Sequence, residues 1–334
     1  MQVSVIIVNY RSATHIIDCI RSAMAFSSGT GFEWIVVDNQ SGDDSKERIC
    51  SEFPFVHWVE MGYNAGFARA NNQGIRLAKG DVFLLLNPDT LILEDAIQKC
   101  FAQFINTNHA ACGVQLLYED FRPQISGSYF VKGGVNHIMP IPYWGSLLSW
   151  IAKKMHARKP GVARAADSVK VDWVSGAFLM VKKQILSKAG MMDEDFFLYA
   201  EEVEWCSRLQ KHGEIFLYGN IRIIHLMGES ITRATNSVDK SYENIFDKKG
   251  LQLIMSNHLR IRKQYGLGWF FFQLLNYTWG LLFFVVCSLL KHLLQFKNPF
   301  TEYKQITGLS KNVFILWSLM PKIVANKPHF YKMF

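Results

Sequence analysis

The sequence lacks the phosphate-binding motifs of several large enzyme classes. It contains no GxxxxGK loop followed by Ser or Thr, which nucleoside triphosphatases need, and no GxGxxG turn of a dinucleotide-binding fold. The first apolar run leads into Asn9-Tyr10-Arg11-Ser12 rather than a glycine-rich basic loop. This difference argues against a nucleotidyltransferase.

Closely spaced cysteine pairs are also missing. No two of the six cysteines are spaced as CxxC, and a chain of 334 residues can bury a core without disulfides. We therefore expect free thiols in a reducing compartment. The first residues show no basic, long apolar leader, so we expect no signal peptide and a cytoplasmic protein.

Acidic residues are scarce towards the C-terminal end. The formal net charge is +8, and residues 291–334 hold seven Lys against one Glu. Such an excess predicts an anionic partner. Because it follows the most apolar stretch of the chain, it favours an anionic membrane surface, and we expect no nucleic-acid partner.

That apolar stretch, Leu267–Leu290, contains no formally charged residue and is long enough to span a bilayer. The basic residues before it, Arg260, Arg262 and Lys263, and the Lys-rich segment after it both favour the cytoplasmic side. This pattern favours an in-plane interfacial helix or a re-entrant hairpin. A buried helix, a homodimer interface and a true span remain alternatives.

The first hundred residues alternate between two hydrophobic patterns. Continuous apolar runs at Val3–Val8, Trp34–Val37 and Val82–Leu86 are typical of parallel strands buried on both faces. Helical spacing appears between them, after Ser12, which is predicted to cap the helix, and again over Phe67–Leu77. Together they predict an α/β fold with a doubly wound, mostly parallel sheet.

Polar residues follow each of these three strands. They are Asn9-Tyr10, Asp38-Asn39 and Asn87-Pro88-Asp89. Such residues also form ordinary turns. However, ligands of open α/β sheets bind beyond the carboxyl ends of the strands, so three polar strand ends predict one site.

The sequence beyond residue 117 predicts a variable region and a domain boundary. Residues 118–170 are irregular and suit a variable acceptor-recognition region, although a surface insertion fits equally well. We expect a catalytic domain over 1–255 and a helical, membrane-associating extension over 256–334.

Several short motifs follow one another along residues 3–230. They are Val3–Tyr10, Val36–Asn39 with Ser41, Asn64–Ala68 with Asn71, Leu86–Thr90, Val174–Ala177, Phe197–Glu202 with Arg208, and His225 with Gly228 and Ser230. In this order they resemble the inverting family 2 glycosyltransferases of GT-A fold, close to the bacterial rhamnosyltransferase-like group. Each motif is weak alone, whereas the ordered set is specific.

The resemblance implies a sugar-nucleotide donor and a divalent cation, Mn²⁺ or Mg²⁺, that offsets the charge of the leaving diphosphate. It implies Asp89 and His225 as the metal ligands. Many relatives have Asp-X-Asp where this chain has Asn87-Pro88-Asp89. The rhamnosyltransferase-like group shares this variant, which indicates one carboxylate fewer rather than loss of activity.

The resemblance also implies the donor contacts. Asp38 corresponds to the residue that binds the base or ribose, with Asn9 and Tyr10 around the base. The other residues implied on the donor side are Gly66, Arg69, Asn71, Asn87, Gly176 and Arg208. Gly66 would permit a close backbone approach, although an ordinary turn glycine is the alternative.

Inversion by direct displacement needs a base opposite the leaving group. The resemblance implies Glu202 for this role, with Glu201 next. The family has Glu-Asp where this chain has Glu201-Glu202, so the reach of the base differs. Acidic residues also favour a first helical turn, and Glu204 and Arg208 have the spacing of an i,i+4 ion pair.

These features predict transfer of a sugar to a hydroxyl of a growing, lipid-linked saccharide at the inner face of the cell membrane. The resemblance suggests dTDP-rhamnose as donor, with UDP-sugars next. The missing carboxylate and the Glu-Glu pair leave a non-catalytic membrane scaffold of the same fold as the alternative.

Overall fold

The computed structural model describes residues 2–26, 31–157, 159–226, 244–298 and 300–333. The chain divides into two compact units. The first comprises residues 1–129, 161–197 and 201–238, and the second comprises 130–160, 198–200 and 239–334. The second unit is larger than the predicted extension of 256–334, because it includes most of the irregular region and the segment from residue 239.

The first unit is built on a nine-stranded sheet of described residues. Its strands are β1 (Val3–Asn9), β2 (Glu33–Asp38), β3 (His57–Glu60), β4 (Val82–Leu86), β5 (Thr90–Ile92), β6 (Ala111–Leu117), β9 (Ser168–Val171), β11 (Phe178–Lys182) and β12 (Ile215–His225). The order is β3-β2-β1-β4-β11-β6-β12-β5, with β9 on β12. A smaller sheet joins β7 (Gly127–Ser128), β8 (Gly161–Val162) and β10 (Trp173–Val174).

The strands β3, β2, β1 and β4 run parallel, and β11 joins β4 in the antiparallel direction. Helices of this unit are α1 (Ala13–Met24), α2 (Ser45–Glu52), α3 (Gly66–Leu77), α4 (Ala96–Ile105), α6 (Lys183–Ala189) and α7 (Glu201–Leu209). The second unit contains α5 (Trp144–Lys154), α8 (Lys248–Tyr265), α9 (Leu267–Leu294) and α10 (Tyr303–Ala325). The predicted α/β class with a C-terminal helical extension is confirmed.

Hydrophobic clusters cover both faces of the central sheet. Successive residues of β1 alternate between them: Val5 and Ile7 pack on one face, and Ile6 and Val8 pack on the other. Every residue of β1 and β4 is buried. Each apolar side chain buried this way stabilises the fold by about 1.5–3 kcal/mol, and this explains why continuous apolar runs predict the strands.

Two local features differ from the sequence predictions. Ser12 occupies the N-cap position of α1, but its hydroxyl donates to the Tyr10 carbonyl oxygen at 3.0 Å instead of accepting from the helix. The apolar residues of Ile221–Ile224 predict a short separate strand. They form the second half of β12, which begins at Ile215 and has an irregular register between Tyr218 and Arg222.

The second unit packs its helices around one long apolar helix. The described helix α9 contacts α5, α8, α10 and a 3₁₀ segment, Lys132–Ile138. Among the described residues, only this helix has the length and composition to cross a membrane. One face of α9 is buried and includes Phe270, Leu274, Tyr277 and Phe284.

Candidate functional site

The ends of β1 and β2 are joined by side-chain hydrogen bonds. Asn9 is fully buried, and its Nδ2 donates to Asp38 Oδ1 at 2.8 Å and to Ser41 Oγ at 2.9 Å. The Ser41 hydroxyl donates to Asp38 Oδ1 at 2.5 Å, and its backbone N donates to Asp38 Oδ2 at 3.1 Å. The sheet register places Asn9 beside Asp38, so these predicted site residues do lie together.

Tyr10 and Arg11 continue from this strand end. The Arg11 guanidinium lies over the Tyr10 ring, 5.6 Å from its centroid, and its Nε donates to the Ser41 carbonyl oxygen at 3.1 Å. Tyr10 is half-buried and Arg11 is exposed. The predicted base-binding residue Tyr10 therefore presents an aromatic ring beside the cation of Arg11. An aromatic ring suits a nucleobase, and a cation suits a phosphate.

A second network holds the turn before α3. Asn39 Oδ1 accepts from the Ala65 backbone N at 2.7 Å, and Asn39 Nδ2 donates to Asn64 Oδ1 at 3.0 Å. Gly66 follows in the left-handed region with φ +76°, and a Cβ atom there would lie 2.3 Å from the Phe197 carbonyl oxygen. Its close approach is therefore to the chain's own backbone.

Helix α3 is tied to the segment before α7. The Phe67 backbone N donates to the Phe197 carbonyl oxygen at 2.8 Å. Arg69 Nε donates to the Glu194 carbonyl oxygen at 3.0 Å, whereas the buried Asn71 donates to the Phe67 carbonyl oxygen within its own helix at 3.0 Å. Both of these side-chain hydrogen bonds are to backbone carbonyl oxygens of the chain itself.

The predicted metal ligands lie together at the end of β4. The antiparallel pairing of β5 with β12 places His225 opposite Thr90. His225 Nε2 lies 3.5 Å from Asp89 Oδ1 and 3.5 Å from Asn87 Nδ2. The Asp89 side chain is 2% exposed and that of His225 is 9% exposed. Burial alone would raise the pKa of Asp89. A protonated His225, together with smaller contributions from a backbone hydrogen bond and from His15, outweighs burial and holds the pKa below its usual value.

The two atoms that face each other in this pair, Asp89 Oδ1 and His225 Nε2, suit a divalent cation as ligands. Asp89 Oδ1 is buried and has no hydrogen-bond partner among the described residues. Cations such as Mg²⁺ bind oxygen at about 2.1 Å, so adjacent ligand atoms around one ion stand roughly 3 Å apart. No group of three or more His, Cys, Asp or Glu side chains suited to a metal occurs in the described ranges. Substrate phosphates would have to complete the coordination shell.

Glu201 and Glu202 begin α7 in different environments. Glu201 is 3% exposed, and its Oε2 has no hydrogen-bond partner within the described part of the chain. Burial, followed by the charge of Glu202, raises the pKa of Glu201 well above its usual value. Glu202 is half-buried, and a Cβ atom on Gly176 would lie 3.7 Å from both its Cβ and Cγ atoms. Gly176 therefore lies directly beside the predicted base.

Arg208 is bound to its own helix and to the end of α6. Its Nε and Nη2 each donate to the Glu204 carboxylate at 2.8 Å, and Nη1 donates to the Ala189 carbonyl oxygen at 2.5 Å. The expected i,i+4 ion pair is present, and it anchors α7 to the end of α6. No described contact joins Arg208 to the other predicted donor residues.

Two predicted motif residues fall outside the described structure, and one residue beside His225 was not predicted. Gly228 and Ser230, named with the motif of His225, fall outside the described residues. The sequence does not predict Gln124, although its Oε1 lies 3.1 Å from His225 Nδ1. It stands in the irregular region, where no hydrophobic period or motif marks a single glutamine.

Comparison with known proteins shows which proteins this chain is similar to. Residues 4–160 match the model of glycosyl transferase family 2. The low-salt glycan biosynthesis hexosyltransferase Agl10 of Haloferax volcanii is 28% identical over 62% of this chain and 61% of its own length. The dTDP-rhamnosyl transferase RfbF of Shigella flexneri is 28% identical over 58% of this chain and 60% of its own. The chain thus spans about three fifths of both relatives.

Two further similarities extend the comparison. The N-acetylglucosaminyl-diphospho-decaprenol L-rhamnosyltransferase of Mycobacterium tuberculosis is 22% identical over 69% of this chain and 77% of its own length. The crystal structure of GalNAc-T7 with UDP, GalNAc and Mn²⁺ superposes with a TM-score of 0.50 at 14% identity, over 67% of this chain and 44% of that one. At such low identity the second similarity concerns the fold alone.

Proposed function

The chain belongs to glycosyl transferase family 2 through residues 4–160, and on this premise we propose that it is a metal-dependent, inverting, nucleotide-sugar-dependent glycosyltransferase. Its substrate pair would be a nucleoside diphosphate sugar and a hydroxyl of a growing saccharide. The observation that carries the proposal is the meeting of Asn9 with Asp38 and of Asp89 with His225 at the strand ends of one sheet.

The donor would bind along these strand ends. Asp38 is held in place by Asn9 and Ser41, and Tyr10 offers its ring at the same edge. A carboxylate in a fixed position can accept hydrogen bonds from a ribose or a base. A dTDP-sugar, with rhamnose first, is the preferred donor because the relative from Shigella flexneri is a dTDP-rhamnosyl transferase by name. A UDP-sugar is second.

Asp89 and His225 would hold the divalent cation, Mn²⁺ or Mg²⁺. When bound, such an ion neutralises negative charge on the departing diphosphate. The two side chains supply one oxygen and one nitrogen ligand from buried positions, and the imidazole favours Mn²⁺. Two protein ligands leave coordination positions for the phosphate oxygens.

Glu202 would act as the base towards the acceptor hydroxyl. Its carboxylate takes the hydroxyl proton while the acceptor oxygen forms a bond to the anomeric carbon, and the bond to the nucleoside diphosphate breaks. Glu201 is the poorer candidate because burial raises its pKa and favours the neutral acid. Gly176 leaves space at the side chain of Glu202.

We extend the proposal to a lipid-linked acceptor at the cytoplasmic face of the cell membrane. The name of the relative from Mycobacterium tuberculosis includes a decaprenol-linked substrate, which supports such an acceptor. The outer face of α9 carries large apolar side chains that are at least one third exposed: Leu267, Phe271, Phe272, Leu275, Trp279, Leu282, Val286, Leu289, Leu290, Leu293 and Leu294. A lipid surface is the proposed partner of this face, with a second copy of the chain as the competing outcome.

An in-plane position of α9 suits its neighbours better than a span. Helix α10 packs against α9 and carries exposed Lys304, Lys311 and Lys322. A span would bring these lysines towards the hydrocarbon, at a cost of about 2.5–3.5 kcal/mol for each one at the bilayer centre. In the plane of the membrane the same lysines can contact anionic headgroups.

Binding and turnover together test the proposed reaction. The melting temperature of the purified chain is measured with dTDP, UDP and GDP, each with and without Mn²⁺, because a ligand of the folded state raises it. Transfer from the nucleotide that binds is then assayed with a lipid-diphosphate saccharide. A metal-enhanced shift with one nucleotide and Mn²⁺-dependent transfer are expected. Absence of both with every nucleotide would leave the non-catalytic scaffold as the better account.

A further inference from the structure

Gln124 is held in a fixed position behind His225. The turn after β6 folds back so that Leu117 pairs with Pro123, and the Gln124 backbone N donates to the Leu116 carbonyl oxygen at 2.9 Å. The residue is 3% exposed. A buried amide side chain needs hydrogen-bond partners for both its nitrogen and its oxygen.

The hydrogen bonds of the Gln124 amide define its orientation. Its Nε2 donates to the Leu117 carbonyl oxygen at 3.1 Å and to the His225 carbonyl oxygen at 2.6 Å. Carbonyl oxygens only accept, so the nitrogen must face them. The amide oxygen is consequently directed at His225 Nδ1, at a distance of 3.1 Å.

This orientation determines the tautomer of His225. Because Gln124 Oε1 can only accept, Nδ1 must carry the ring proton, and in the neutral ring Nε2 then carries the lone pair. Nε2 lies 3.5 Å from the buried Asp89 Oδ1. It also lies 3.5 Å from Asn87 Nδ2, an amide donor suited to a lone pair. Two electron-rich atoms thus face one another, an arrangement that a cation between them would stabilise.

We propose that Gln124 is a positioning residue of the cation site: it holds His225 in the Nδ1–H tautomer and so directs the Nε2 lone pair towards Asp89. Partners of this kind orient a ligand imidazole and increase its basicity, and their loss typically lowers metal affinity by about 10- to 100-fold. The inference rests on the proposed function for the cation itself. The tautomer can be observed without any metal.

The test compares two substitutions of Gln124 with a matched control. Q124L removes the acceptor at Nδ1, whereas Q124E keeps an acceptor there and loses the amide donor to the Leu117 and His225 carbonyl oxygens. N72L is the control, because Asn72 is also a buried amide of the first unit, 1% exposed, and bonds to Met192 and Glu194 rather than to His225. Loss of stability alone should affect Q124L and N72L alike.

The tautomer of His225 is measured on metal-free protein by ¹⁵N NMR of the imidazole nitrogens, using the signal that disappears in H225N. Free Mn²⁺ is measured by electron paramagnetic resonance during titration with dTDP present. We expect the Nδ1–H pattern in wild type, N72L and Q124E. Q124L should lose that pattern, and its Mn²⁺ affinity should fall about 10- to 100-fold.

The outcomes separate the two proposals. An Nδ1–H pattern that persists in Q124L, or an equal loss of Mn²⁺ affinity in N72L, would overturn the role of Gln124. Wild-type protein that shows the Nδ1–H pattern but binds no Mn²⁺ with any nucleotide would overturn the cation site at Asp89 and His225. A pattern of Nε2–H in the wild type would overturn the inference directly.

Discussion

The carbonyl oxygen of Phe197 lies against Gly66, so close that a Cβ atom on Gly66 would be only 2.3 Å from this oxygen. The same oxygen accepts from the Phe67 backbone N at 2.8 Å. The start of α3 is therefore fixed against the segment that leads to α7 and its carboxylates. This contact joins two sequence motifs of the candidate site that are far apart in the chain.

Replacing Gly66 with Ala should destabilise the protein by more than strain alone. A non-glycine residue in the left-handed region costs about 1–2 kcal/mol, and the new methyl group would also overlap the Phe197 carbonyl. G42A is the matched control, because Gly42 has φ +65° and nothing within 4 Å of a Cβ position. Urea unfolding should show a larger loss of unfolding free energy for G66A than for G42A. Equal losses would mean that Phe197 moves aside without cost.

The two carboxylates of α7 should differ in their effect on transfer. Glutamine copies the shape of a neutral glutamic acid but cannot take a proton, so E202Q should lower kcat by about 10²- to 10⁴-fold. E201Q should keep a rate near wild type, because a raised pKa already favours the neutral acid at Glu201. Rates are measured at saturating donor and acceptor. A severe loss in E201Q with a normal rate in E202Q would reverse the assignment.

The raised pKa of Glu201 also predicts a pH dependence of stability. The unfolded chain releases the Glu201 proton near the ordinary value of 4.5, whereas the folded chain retains it to higher pH. Between these two pKa values the folded state binds more protons, so rising pH destabilises the fold by up to about 1.4 kcal/mol per pH unit. Below the unfolded value the effect is absent.

E201Q removes this titration and should therefore be more stable than wild type at neutral pH. The difference in unfolding free energy should grow as the pH rises above about 4.5 and vanish below it. E202Q provides the comparison. It removes the charge of the half-buried Glu202, which contributes to the raised pKa of Glu201, but it leaves the Glu201 carboxyl group in place. A stability difference between E201Q and wild type that does not change with pH would contradict the neutral state of Glu201.

The sequence predicted the elements that a local pattern defines. Every residue of β1 and β4 is buried, and a continuous apolar run is the direct signature of such a strand. The ends of these strands carry Asn9 and Asp89, which the carboxyl-end rule placed near a common site. Burial and sheet direction are both visible along a short stretch of chain.

Other parts of the site depend on contacts between distant segments. The approach of Phe197 to Gly66 and the bond between Gln124 and His225 have no trace in local spacing. The strand β12 begins before Gly219-Asn220, a pair that is typical of a turn. The strand continues through this pair, and its pairing with β6 is irregular there. The role of Arg208 illustrates a mixed case, because its i,i+4 pairing was predictable and its bond to Ala189 was not.

Removing the charge of Asp89 should separate nucleotide binding from metal binding. D89N keeps the side-chain volume but supplies a weaker ligand, so the increase in melting temperature that Mn²⁺ adds to the nucleotide effect should largely disappear. E33Q is the control: Glu33 is also a buried carboxylate, 9% exposed, but it lies at the amino end of β2. A normal metal effect in D89N would exclude Asp89 as a ligand.

The exposed face of α9 should determine binding to lipid. Trp279 is 62% exposed on this face, and W279E would place a charge among the apolar side chains. We expect a loss of binding to vesicles that contain anionic phospholipid, measured by co-sedimentation, with transfer to a water-soluble acceptor unchanged. K311Q, on the neighbouring helix, removes one exposed cation and should weaken binding only at low ionic strength. If W279E instead binds vesicles normally but changes from dimer to monomer in solution, a second copy of the chain covers this face rather than lipid.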